Sequence, residues 1–145
     1  MRYLKPFITP LLLILACLFT APMTHAGEKE DRAEINKLIT VKNWKDLEKT
    51  LGGNTTLTTL NLGMNQIGAE GAKAIGSALE KNTTLTTLNL WENNIGFEGA
   101  KAIGSALEKN TTLTTLDLRC NRIGAEMRKT LIAITKSKPG FILSL

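Results

Sequence analysis

Leucines recur along this chain three and then two residues apart, an asparagine and an isoleucine follow, and the figure is written three times. Leu57, Leu60, Leu62, Asn65 and Ile67 make the first copy. Leu85, Leu88, Leu90, Asn93 and Ile95 make the second, and Leu113, Leu116, Leu118, Asn121 and Ile123 the third. Leu60 and Leu62 stand two apart, so both face one side of an extended segment, and the neighbouring threonines favour a strand. A glycine follows each isoleucine. Then Ala72, Ile75 and Leu79 recur at helical spacing, which predicts an amphipathic helix. Lys81 is expected in its last turn, with Asn82 ending it in the left-handed conformation. Residues 54–81 and 82–109 differ at four of 28 positions, and 110–137 keeps the frame as far as Glu126. A fixed period of this length predicts one strand–turn–helix unit stacked on copies of itself.

The L-x-x-L-x-L-x-x-N-x-I figure, with its 28-residue period and I-G-x-E-G-A-K-A-I helices, resembles the leucine-rich repeat, in its ribonuclease-inhibitor-like form. The resemblance implies an α/β fold: a short right-handed solenoid with parallel strands on the concave face and helices on the convex one. Asn65, Asn93 and Asn121 then face the core. Each is tolerable there only if its amide bonds to backbone of the adjacent loop, so the three are expected to form a structural ladder.

Solenoid ends expose apolar surface and need caps. Residues 27–53 carry Ile35, Leu38, Ile39, Trp44, Leu47 and Leu51. Leu47 and Leu51 sit in the frame of Ile75 and Leu79, which predicts a helical N-terminal cap and degenerate half-repeat, with Trp44 in its core. After the repeats of 54–137, residues 138–145 predict a turn at Pro139-Gly140 and a last strand in Phe141–Leu145, with Leu143 and Leu145 inward.

The first 26 residues are read differently. Arg2 and Lys5 precede an apolar run from Leu11 to Phe19, and small residues Thr24 and Ala26 precede Gly27. That is the layout of a signal peptide, and the run is too short for a spanning helix. Export to a secreted or periplasmic location follows, with lipid anchoring at Cys17 as the minor alternative. The chain holds 18 basic and 13 acidic residues, a net charge of +5. Removing Arg2 and Lys5 leaves 16 against 13, or +3. Alternating Lys and Glu on helices suit a solvated face better than a nucleic-acid stripe. The same cut removes His25 and Cys17, leaving Cys120 as a lone thiol without a disulfide partner.

Function is sought where the copies disagree. Copies one and two differ at Gly63/Trp91, Met64/Glu92, Gln66/Asn94 and Ala69/Phe97; through Glu126, copies two and three differ at Asn89/Asp117, Trp91/Arg119, Glu92/Cys120, Asn94/Arg122 and Phe97/Ala125. All are expected on the concave face or its rim. The predicted partner-binding surface comprises Asn61, Met64, Asn89, Trp91, Glu92, Asp117, Arg119, Cys120 and Arg122, with Trp and Arg the favoured interface anchors. Drift between duplicated copies explains any one of these changes equally well. No catalytic triad, metal-ligand cluster or phosphate loop is present in the sequence. Gly68, Gly71, Gly96 and Gly99 are read as tight-turn residues. Asn54, Asn82 and Asn110 open N-T-T triplets, which match the glycosylation acceptor but are read as turn starts. The expectation is a non-enzymatic, exported module without cofactor or metal that binds a protein partner. Small secreted effectors offer an analogy. A self-associating envelope component and a GTPase regulator are the alternatives, and the oligomeric state is left open.

Overall fold

A computed structural model describes residues 26–145. The expected signal peptide and the Cys17 alternative lie outside those residues, save Ala26. The elements in chain order are α1 (Ala26–Thr40), α2 (Trp44–Gly52), β1 (Thr59–Asn61), α3 (Gly68–Leu79), β2 (Thr87–Asn89), α4 (Gly96–Lys109), β3 (Thr115–Asp117), α5 (Ala125–Lys136) and β4 (Ile142–Ser144). Four strands pair in parallel in the order β1-β2-β3-β4. Leu60, Leu88, Leu116 and Leu143 lie in register across them. The chain is a short α/β solenoid.

The frame residues fill its interior. Leu57, Leu60, Leu62, Leu85, Leu88, Leu90, Leu116 and Leu118 are buried, as are Ile75, Leu79, Ile103, Leu107 and Leu131 on the helices. From α1 and α2, Ile35, Leu38, Ile39, Leu47 and Leu51 join the same cluster, with Trp44 packed against it. The helices approach closely because small residues line them. A β-carbon on Gly71 would stand 2.9 Å from Cζ3 of Trp44. Gly71 is therefore a packing residue inside α3, not the turn residue expected of it. Only Gly68 and Gly96, at φ +67 and +66, serve the strand-to-helix turn.

Two asparagine ladders bind each turn of the solenoid to the next. In the first, Asn93 Nδ2 donates to the carbonyl of Leu62 at 2.7 Å, while its Oδ1 accepts from the amides of Asn65 and Ile67. Asn121 repeats the pattern on Leu90, Asn93 and Ile95. Both are fully buried. Asn65 departs from expectation: it is exposed, and its amide bonds only to Leu62 and Gly63 of its own turn. It stands in the first repeat, so no earlier turn of this kind covers it.

The second ladder was not foreseen. Asn82 Nδ2 donates to the carbonyls of Leu51 and Asn54, and its Oδ1 accepts from the amides of Thr84 and Leu85. Asn110 does the same one repeat later, on Leu79, Asn82, Thr112 and Leu113. Lys138 closes the row, its Nζ donating to the carbonyl of Asn110 at 2.6 Å. Asn82 thus adopts no left-handed helix end; α3 stops at Leu79 with Glu80 still in the right-handed region. Lys81 also lies beyond the helix, paired with Glu48 across repeats as Lys109 is with Glu80. The buried, engaged amides of Asn82 and Asn110 are closed to glycosylation in the folded chain.

Candidate protein-binding face

Alternation along each short strand decides what faces out. Leu60, Leu88 and Leu116 point inward, so their neighbours form two outward rows: Thr59, Thr87 and Thr115, then Asn61, Asn89 and Asp117. The side chains of the second row are partly committed to the fold. Asn61 Oδ1 accepts from the amide of Gly63 at 3.0 Å, and Asn89 Oδ1 from that of Trp91 at 2.9 Å. Asp117 Oδ1 accepts from the amide of Arg119 at 3.0 Å. Each closes an Asx-type turn at the strand end. The Asn89-to-Asp117 change therefore keeps the oxygen that this turn requires.

Beyond the strands runs a third row, Gly63, Trp91 and Arg119. Trp91 is half-buried, and a β-carbon on Gly63 would lie 3.6 Å from its Cε3. The indole thus leans over the one repeat that offers no side chain in that slot. Arg119, in the same slot of the third repeat, turns back on its own strand. Its Nε donates to Asp117 Oδ1 at 3.0 Å and its Nη2 to Oδ2 at 2.7 Å. These hydrogen bonds are the main cause that holds the Asp117 carboxyl below its ordinary value; partial burial opposes them. A folded value below the unfolded one means that the stabilisation is present above the unfolded value, near pH 4, and is lost as pH falls through the folded value. Arg119→Ala is expected to return the Asp117 titration, followed by carboxyl NMR, toward the ordinary aspartate value of about 3.9.

The rim residues were legible as variable but not as strained. Met64 and Gln66 have φ of 59 and 52, Glu92 and Asn94 of 52 and 55, and Cys120 and Arg122 of 57 and 56. In each repeat the two left-handed residues flank the frame asparagine, which is sealed inside at Asn93 and Asn121 and exposed at Asn65. Such conformations cost roughly 1–2 kcal/mol for a non-glycine residue. Of the six, only Asn94 is a type that favours them, so residue identity gave little signal. Their side chains are all exposed. Phe97 falls elsewhere than expected. It opens α4, 49% exposed, beside Lys101, Met127 and Ile134 in a groove between α4 and α5, away from the strand face.

Among the described residues no group of three or more His, Cys, Asp or Glu is placed to hold a metal, and no helix is long and apolar enough to cross a membrane. Cys120 is exposed and free.

Comparison with known proteins agrees with this geometry. The solved structure titled "Leiomodin-1 Actin-Binding Site 2 (ABS2)" is similar in fold, with a TM-score of 0.65 and 24% identity over 77% of this chain and 76% of that one. No curated protein sequence matches significantly. The family model described as "Leucine Rich repeat" matches residues 53–76, 81–104 and 109–126. These segments contain most of the frame leucines and all four buried ladder asparagines, Asn82, Asn93, Asn110 and Asn121, and the chain is therefore a leucine-rich repeat protein.

Proposed function

We propose that this protein is an exported, non-enzymatic module that grips a partner protein with its concave face, in the manner of a small secreted effector. One observation carries the reading. From the start of each repeat to the first turn of its helix, over 54–70, 82–98 and 110–126, the frame leucines and isoleucine are identical, yet the row Gly63, Trp91 and Arg119 changes from apolar void to indole to guanidinium across adjacent turns. A half-buried indole beside polar rows of Thr and Asn has the amphipathic character of an interface anchor. The leucine-rich fold supports a protein partner in general. The neighbour's title names an actin-binding site, but at 24% identity it lends its fold and not its partner. Export rests on the N-terminal layout of basic start, apolar run and small residues. Regulation of a GTPase is less favoured, because the Arg119 guanidinium is already engaged by Asp117.

The test is capture of a partner from cell extract by wild type, Trp91→Ala and Phe97→Ala. Loss of a specific partner by at least tenfold with Trp91→Ala, and retention with Phe97→Ala, is the expected result. Equal capture by all three, with unchanged circular dichroism, removes the concave face from the reading.

A further inference from the structure

The two edges of the sheet are treated differently. At the β1 edge, α1 reaches over: Arg32 Nη2 donates to the carbonyl of Thr59 at 3.0 Å, and Asp31 accepts from Asn54. At the other edge, β4 pairs inward only. The amide of Ile142 donates to the carbonyl of Thr114, and the carbonyl of Ser144 accepts from the amide of Leu118. Backbone groups alternate in direction along a strand. Ile142 and Ser144 thus spend theirs on β3, and the N–H and C=O of Leu143 point to the open side. Among the described residues nothing covers them.

The side chains there are also unfinished. Leu113, Leu116 and Leu118 are 3%, 0% and 1% exposed. Their successors Phe141, Leu143 and Leu145 are only part-buried, and Ile142 is 61% exposed. Natural edges are commonly guarded by charge. Here the strand has none, and the nearby Lys138 ammonium is held by the Asn110 carbonyl.

The geometry points to a second copy of this chain as the occupant of that edge, docked antiparallel about a two-fold axis through Leu143. The segment is self-complementary in this register. Leu143 opposite its own copy exchanges both free backbone bonds, the arrangement of a hydrogen-bonded antiparallel pair. Phe141 then meets the second copy's Leu145 on the core side, and Ile142 meets its Ser144 on the concave side. The contact is isologous and closed. It joins two four-stranded sheets into one of eight and sets two Trp91 faces side by side. This is independent of whether Trp91 binds a partner.

Sedimentation velocity of the purified protein from about 0.01 to 1 mM, a range suited to a small transient interface, tests it with two surface variants. I142K/S144K opposes lysine to lysine at both ends of the contact. I142K/S144E opposes lysine to glutamate. Wild type is expected to dimerise with rising concentration, I142K/S144K to weaken dimerisation at least tenfold, and I142K/S144E to restore it. A wild type that stays monomeric throughout overturns the proposal. So does a dimer that both variants leave unchanged.

Discussion

Asn93→Ala is expected to lower folding stability by about 3–5 kcal/mol, while Asn65→Ala, the same letter of the preceding repeat, costs less than about 1 kcal/mol. Asn93 is 0% exposed. Its amide donates to three carbonyls, of Leu62, Leu90 and Trp91, and its oxygen accepts from the amides of Asn65 and Ile67. Alanine leaves the backbone amides of Asn65 and Ile67 without their acceptor, while the Leu62 carbonyl keeps only the side-chain amide of Asn65. Each unsatisfied buried group costs about 1–3 kcal/mol. It also withdraws the support that holds Met64 and Gln66 in left-handed conformations. Asn65 lacks this setting, because its oxygen serves no earlier turn and its side chain meets solvent. Urea denaturation of the two variants measures the contrast as a difference in midpoint at constant slope. Equal losses would mean that the ladder contributes no more than a local turn.

Gly76→Ala and Gly104→Ala are expected to move stability in opposite directions, although both replace the glycine of the same A-I-G-S-A-L phrase. Alanine in a helix interior ordinarily gains about 0.5–1 kcal/mol over glycine. At Gly76 the added β-carbon would lie 2.9 Å from the Ala102 carbonyl oxygen and 3.2 Å from its carbon. Those are backbone atoms of α4, and they yield only if the two helices separate. Overpacking of this kind costs about 1–3 kcal/mol, and Gly76→Ala should show a net loss. At Gly104 the nearest atoms are Leu131 Cδ2, Ile134 Cδ1 and Met127 Cε, at 3.3–3.4 Å. These are ends of flexible side chains, and Gly104→Ala should be neutral or stabilising by up to about 1 kcal/mol. Thermal unfolding of the pair reads the sign directly. A stabilising Gly76→Ala would show that α3 and α4 are not held by direct backbone contact.

The spacing of Leu60, Leu62 and Ile67 made the solenoid legible, because a period-two strand followed by a period-3.6 helix leaves few ways to bury both faces. Asn93 and Asn121 were legible for the same reason, as the polar letters inside an apolar frame. Asn82 and Asn110 were not. They stand before two threonines, where a turn start and a buried rung look alike. What distinguishes them is a pair of carbonyls of the preceding turn, for Asn82 those of Leu51 and Asn54, 31 and 28 residues away, which only stacking brings within 2.8 Å and 3.1 Å of its amide. The variable row was readable as a surface, but the commitment of Asp117 to Arg119 and of Asn89 to the Trp91 amide was not.

The sequence alone determined the unit, its period and its inward letters, since burial of regularly spaced leucines has one economical solution and is set by local pattern. Tertiary structure decided everything that depends on which repeat stands next door. Identical letters became an exposed turn at Asn65 and a sealed rung at Asn93, and a backbone contact at Gly76 and a forgiving one at Gly104. Local composition cannot encode that distinction, because the energy of each residue comes from hydrogen-bond partners and contact distances that exist only once the neighbouring turn has been laid against it.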